Sequence, residues 1–530
     1  MLKRRLAKSI SLVRGLYLYL RKHFYVSLLI ITAISIPFRG VLLQGDGLWF
    51  DEINGIRISS YDILTLMQWL KFEFSPPLFY LLLHFWIKIV GFAPLLLRVF
   101  PFMWGVIGVY VTGVVVMDIY KRKGVALLTA VMVALSPLMV RYSVEVRMYS
   151  LLYVMFLVQV MLFFRILRSP SRKYIVLLSF VTVIALGLHH SILFLFMVEV
   201  IWALLFYRRE LLEHLSYWLL VVVGVTVLYL PVLILTTRYQ LFRIGGSGLD
   251  YTEFVERNSV VEFYFSLVKT SFFGDTNPIL GSITIILVVV LGLMVTKKKW
   301  FVRESYKTLL FFIFLSIIPT MFLYVRSGNL GIIRYFLPSV LSVYVIFAML
   351  IENINHHFIK VIVIFCFLIS IIGGTFAYYS FRSTVISRHV DKVALFVSSK
   401  ANRDDVVLLS TPSFKFIFEW YYTGEAKVMV LDPGAWIGIN GEVDDQLVLS
   451  RGGQQIVTED NVYLLSGLVS PYKRVWFIDF DRAADPYNIQ FNFLLGEYPT
   501  VKYVAWDDIQ NNTLPGEEIP SFSAVKVFEK

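Results

Sequence analysis

A chain of 530 residues that is 58% hydrophobic, with a mean hydropathy of +0.71, is too apolar for a soluble globular protein and holds many runs long enough to cross a bilayer. Its formal net charge of +12 is uneven: residues 1–384 carry 36 Lys and Arg against 17 Asp and Glu, whereas residues 385–530 carry 13 against 20. The basic excess lies wholly in the apolar part, where short loops orient helices, and this argues against a nucleic-acid partner. The lone cysteine, Cys366, sits in an apolar run, so the chain forms no intramolecular disulfide and no thiolate metal cluster.

The basic N-terminus (Lys3, Arg4, Arg5, Lys8, Arg14, Arg21, Lys22) precedes a run without a small-residue cleavage site, which reads as an uncleaved first span. Runs of spanning length fall near residues 24–43, 95–118, 124–140, 150–167, 174–189, 191–207, 215–236, 279–296, 308–325, 332–351 and 358–379. A twelfth, 78–91, is shorter and follows Ser75-Pro76-Pro77. The positive-inside rule decides whether it crosses. If it does not, Lys121-Arg122-Lys123, the 165–173 cluster, Arg208-Arg209 and the 297–307 cluster all share the cytoplasmic side with the N-terminus. Eleven spans are therefore expected, with 78–91 an interfacial or re-entrant helix. The loops 44–77, 141–150, 238–278 and 326–335 and the His189-His190 turn then open outward, away from ATP and nucleotide sugars.

From about residue 384 the texture changes. Residues 404–410, 427–431, 474–479, 501–506 and 524–528 read as strands, alternating with helical stretches at 414–422 and 488–495. The expected division is a membrane domain, 1–383, whose first outer loop spans 44–94, and one outward-facing α/β domain, 384–530.

Asp51 and Glu52, in Leu48-Trp49-Phe50-Asp51-Glu52-Ile53, form an adjacent carboxylate pair just past the first span. Acids kept at a membrane boundary cost solvation free energy and mark substrate paths; the plainer reading is a pair of acids beside a helix cap. Residues 141–150 (RYSVEVRMYS) place Arg141, Glu145, Arg147 and Tyr149 in one short loop. Guanidinium and phenol groups suit a phosphate, and a snorkelling belt of arginine and tyrosine has the same composition. His189 and His190, an interfacial pair between two spans, read as a hydrogen-bonded turn. Glu199 and Asp118 read as paired or lining polar groups within or at the end of spans.

Asp51-Glu52, Ser75–Trp86 (SPPLFYLLLHFW), Glu145–Leu152 (EVRMYSLL) and Arg334-Tyr335 with Pro338, in that order, resemble the GT-C glycosyltransferases. The likeness is to the dolichyl-phosphate-mannose-protein mannosyltransferases and their bacterial and archaeal relatives, including the aminoarabinose transferases of lipid A. It covers the membrane part well and the outer domain loosely. The implied fold is a helical polytopic membrane protein with a C-terminal α/β domain outside the cytoplasm. The implied reaction is inverting transfer of a sugar from a polyprenyl-phosphate donor to a lipid, glycan or protein acceptor, at the outer face of the cell membrane. On that resemblance Asp51 is the general base, and Glu52 pairs with an arginine such as Arg147 or helps hold a divalent metal ion, to which His189 and His190 would add ligands. Glu145 belongs to the catalytic set, and Arg147, Tyr149, Arg334 and Tyr335 bind the donor phosphate. The sugar-binding repeat domain of the eukaryotic protein mannosyltransferases is not in the sequence, so a Ser/Thr-protein acceptor does not follow from the likeness. Two other classes compete: a transporter or flippase of lipid-linked saccharides, and an envelope-assembly or receptor protein that leaves Asp51-Glu52 without a role.

Overall fold

The structure, a computed structural model, describes residues 15, 19–44, 47–71, 73, 75–239, 259–272, 303–327, 337–354, 356–384, 390–410, 415–431, 462–479, 489–504, 509 and 525–530. These gather into two compact units. One is drawn from Met1–Gln44, Gly55–Gln240 and Val255–Phe381; the other takes in Gly45–Asn54 and Arg382–Lys530.

The first unit is helical. Among the described residues five helices are long and apolar enough to cross a bilayer: Phe24–Leu43, Pro94–Tyr120, Tyr149–Arg168, Leu215–Thr237 and Phe358–Ser380. The helix Leu215–Thr237 makes the membrane reading physical. It is strongly apolar and yet mostly unburied, a surface that needs lipid around it. Of the eleven expected runs, 279–296 and the start of 332–351 lie outside the described residues; 124–140 falls on two helices, and the described part of each of the others falls on one. The short run forms the helix Leu78–Val90; at about 1.5 Å per residue it falls well short of a ~30 Å hydrocarbon core. It buries Phe79, Tyr80, Leu83, His84 and Ile87, a single face at helical spacing.

The expected span 124–140 is not one helix. It stops at Leu135 and restarts as Pro137–Tyr142, because Pro137 has no N–H to continue the ladder while Ser136 caps the new start through the Met139 N–H. The carbonyls freed by the break are all satisfied. Arg39 donates to Val133 O at 2.9 Å and Ala134 O at 2.7 Å, and the Thr375 hydroxyl donates to Leu135 O at 2.5 Å. Tyr344 donates to Ser136 Oγ, which itself donates to Ser271 O at 2.7 Å. At membrane depth no water can do this work, so the side chains must.

The helix Pro94–Tyr120 carries a stripe of small residues that admits its neighbours. A Cβ on Gly113 would sit 2.3 Å from Leu28 Cδ1, and one on Gly105 would sit 2.2 Å from Ser143 Cβ. Thr112, one turn on from Gly108, shares a 3.0 Å hydrogen bond with Tyr153.

The second unit holds a five-stranded sheet in the order β2-β1-β3-β5-β4, formed by β1 (Val406–Leu409), β2 (Lys427–Val430), β3 (Arg474–Ile478), β4 (Thr500–Val504) and β5 (Val525–Glu529). β2, β1 and β3 run parallel; β5 is antiparallel to both β3 and β4. β1 is buried along its whole length, as a central strand covered on both faces must be. Val406, Leu408, Val475 and Phe477 pack against Leu465, Val469, Leu494 and Tyr498 on one side, while Trp476 meets Phe396 of the helix Val390–Lys400 on the other. Asp405 receives a fork from Arg474, at 3.0 and 2.7 Å, and a further bond from the Trp476 indole, tying the entry of β1 to β3.

Candidate active site

The acid pair opens a helix, Phe50–Ser60, with Asp51 and Glu52 in its first turn, where the helix dipole favours negative charge. Glu52, 1% exposed, turns its Oε2 back to accept the Trp49 N–H at 3.1 Å, the acid half of a capping box. The local geometry thus assigns Glu52 to holding the helix start and leaves Asp51 half-buried beside it. Two residues upstream of Trp49, at Gly47, a Cβ would lie 2.8 Å from the Asp391 carboxyl, and the Leu48 N–H donates to the Tyr421 hydroxyl at 2.7 Å.

In the first unit, every residue from Tyr142 to Ser150 is buried. That excludes the snorkelling-belt reading for this loop, since a belt keeps its charged heads in the headgroup layer. Glu145, 1% exposed, accepts from Arg141 Nε at 3.2 Å. Burial acts most strongly on the Arg141 guanidinium, and downward. Glu145, Tyr142 and Tyr378 more than reverse it, so the group sits above its ordinary pKa and stays charged.

Arg147 reaches inward, its Nη1 donating to the Tyr80 hydroxyl at 3.4 Å, and that hydroxyl in turn donates to Glu73 at 3.3 Å. Gly55, in the Phe50–Ser60 helix, faces the same guanidinium, with room for ordinary contact only. His84, on the helix that carries Tyr80, donates from Nδ1 to Ser59 O at 2.9 Å, which fastens that helix to the same neighbour. Tyr149 stacks edge-on against Tyr142, with ring centroids 5.3 Å apart, and lies 6.3 Å from the His189 ring. The Ser150 hydroxyl donates to Pro101 O at 2.9 Å and pins the loop's exit. The structure therefore brings together Arg147, Tyr80, Glu73 and the Tyr142–Tyr149 ring pair around one buried loop, with Arg141 neutralised by Glu145. A planar guanidinium flanked by a phenol suits a phosphate.

Arg334 and Tyr335 lie outside the described residues, as do Asp275 and Asn277. His189 and His190 form a turn: the Nδ1 of His189 accepts the Ser191 N–H at 3.0 Å and meets its hydroxyl at 2.9 Å. Among the described residues no group of three or more His, Cys, Asp and Glu side chains stands ready to hold a metal ion. Glu199 is buried within its helix and accepts from Gln159 at 3.2 Å; Asp118 pairs with Lys121 and Arg165. Sequence reasoning missed Tyr80 and Glu73. Tyr80 belongs to an aromatic-rich stretch whose composition points equally to an interfacial anchor, and only tertiary packing turns its hydroxyl toward Arg147.

No family model matches the chain, and no curated protein does. Solved structures do. ArnT, the aminoarabinose transferase of Cupriavidus metallidurans, superposes in the apo state with a TM-score of 0.55 at 12% identity, covering 91% of this chain and 96% of that one. The same enzyme bound to undecaprenyl phosphate gives 0.52 at 12% identity, over 91% and 95%. The oligosaccharyltransferase of Archaeoglobus fulgidus, crystallised in the apo form, gives 0.51 at 12% identity, over 95% of this chain and 76% of that one. A likeness that runs over nine-tenths of the chain, through the membrane helices and the C-terminal domain alike, identifies the fold as that of the GT-C membrane glycosyltransferases, the one the sequence motifs resemble.

Proposed function

We propose that this protein transfers a sugar from a polyprenyl-phosphate donor to a lipid, glycan or protein acceptor at the outer face of the cell membrane, with inversion at the anomeric carbon. The observation that carries the reading is the buried Arg147–Tyr80 contact, a phosphate-suited pair in a fold whose solved neighbour ArnT is bound to undecaprenyl phosphate. In this reading Asp51 accepts the proton of the acceptor hydroxyl as its oxygen attacks the anomeric carbon. The bond from that carbon to the phosphate oxygen breaks, its electron pair leaves with the phosphate, and Arg147, Tyr149, Arg334 and Tyr335 stabilise the departing charge. Glu52 fixes the helix that presents Asp51, and Glu145 holds Arg141 within the loop.

A transporter of lipid-linked saccharides is the second reading; the buried Glu199–Gln159 pair inside a membrane helix is the observation on its side. Asp51→Asn separates the two, because transport needs no base. The transferase reading expects turnover to fall about 100-fold or more, the scale of a lost general base, with undecaprenyl phosphate binding intact. Full turnover in the purified variant removes the base assignment, and movement of the lipid-linked sugar across vesicles without transfer favours the transporter.

A further inference from the structure

The C-terminal domain has no part in the chemistry just described, yet the acid-bearing segment folds with it. Residues Gly45–Asn54 belong to the same compact unit as Arg382–Lys530. Two attachments join them among the described residues. The Leu48 N–H donates to the Tyr421 hydroxyl at 2.7 Å, across 373 residues of chain, and Leu48 itself is 1% exposed. One residue earlier, Gly47 lies so close to Asp391, on the first turn of the Val390–Lys400 helix, that a Cβ would meet its carboxyl at 2.8 Å. The helices carrying these partners, Val390–Lys400 and Lys415–Tyr421, are joined in turn, because the Thr423 N–H donates to Ser398 Oγ at 2.9 Å. Downstream, the segment enters the helix Phe50–Ser60 through a closed cap. Glu52 caps the helix through Trp49, and the Glu52 and Ile53 N–H groups both donate to Trp49 O at 3.0 Å. Only Trp49 and Phe50 stand between Leu48 and Asp51, and neither is a glycine, so a shift at Leu48 moves the helix start that carries the carboxyl.

We infer that the C-terminal domain sets the position of Asp51, with Tyr421 as the positioning residue and Gly47 the close approach that permits the attachment. The inference rests on the proposed transferase reading for the meaning of Asp51, but the attachment itself can be measured without it. A base displaced by a fraction of an ångström loses rate, while a donor held elsewhere keeps its affinity. Tyr421→Phe removes the acceptor oxygen and keeps the ring, so it preserves packing where Gly47→Ala strains it.

The test uses the full chain in nanodiscs, with Cys366→Ser and Asn54→Cys carrying a nitroxide. Tyr421→Phe should sharpen the nitroxide spectrum and lower kcat about tenfold, the loss expected of one positioning hydrogen bond. The donor KM, read with undecaprenyl-phosphate sugar from host membranes, should stay within about twofold, and Gly47→Ala should shift the spectrum in the same direction. An unchanged spectrum in both variants overturns the attachment. An altered spectrum with unchanged kcat, or a kcat loss matched by the donor KM, overturns the positioning role. Asp51→Asn made in parallel reports on the base: full turnover there sinks the transferase assignment, while the nitroxide still decides the attachment.

Discussion

Arg39 donates to the backbone carbonyl of Ala134 at 2.7 Å, ninety-five positions away in sequence and with 1% of its surface exposed. The same guanidinium serves Val133, so one side chain closes two carbonyls that the helix break at Pro137 leaves open. Arg39→Met should cost about 2 to 4 kcal/mol, the scale of two buried acceptors left unmade, and Arg39→Lys should recover only part of it. Thermal unfolding in detergent measures both, and equal midpoints for Arg39→Met and the parent would show that those carbonyls find other donors.

Gly105 permits the helix Pro94–Tyr120 to lie against Ser143 at the entrance of the buried loop. Gly105→Ala should destabilise by about 1 to 3 kcal/mol through overpacking, and should weaken donor binding by shifting Arg147. Adding Ser143→Gly should recover most of both losses. A double variant no better than the single one would place the damage elsewhere.

Arg147→Ala should weaken undecaprenyl phosphate binding about 10- to 100-fold, the equivalent of one charge-assisted hydrogen bond pair, with Arg147→Lys between it and the parent. Fluorescence or calorimetric titration in nanodiscs gives the numbers. Unchanged affinity in Arg147→Ala takes this residue out of the phosphate site.

For sidedness, Gly124 is a poor position for a reporter cysteine, since it is buried and a Cβ there would fall 2.5 Å from the Glu352 carboxylate. Arg209 has a side chain 88% exposed on a short helix and suits the purpose. In a Cys366→Ser background, Arg209→Cys should react with an impermeant maleimide only after the membrane is opened. Lys427→Cys, at the exposed start of β2, should react in intact cells. Reversed labelling of either would overturn the eleven-span arrangement.

Hydropathy carries the helical part of the fold because each span is apolar over a continuous stretch, and the five strands could be read for the same reason: short β-branched runs bounded by polar residues. The Ser136-Pro137 break was present in the letters, but a window long enough to find spans averages across it. Arg39 leaves no local trace of its role, since the carbonyls it serves are freed by a proline far along the chain. The loop at residues 141–150 was ambiguous for a physical reason: two arginines and two tyrosines suit a headgroup belt as well as a buried cluster, and only packing distinguishes them. The plainer reading of the acid pair placed it in a loop beside a helix cap; that Glu52 itself closes the cap through the Trp49 N–H was not legible, because Trp49 is no usual cap residue. Nor was the Tyr421 contact, because nothing around either residue encodes a hydrogen bond across 373 positions.

That contact has a practical side for anyone recombining this protein with its structural relatives. A chimera that exchanges residues 382–530 alone would leave Gly47 and Leu48 facing foreign side chains, so a working graft must carry residues 45–54 along with the tail it came with. The two stretches fold as one unit, though most of the chain separates them.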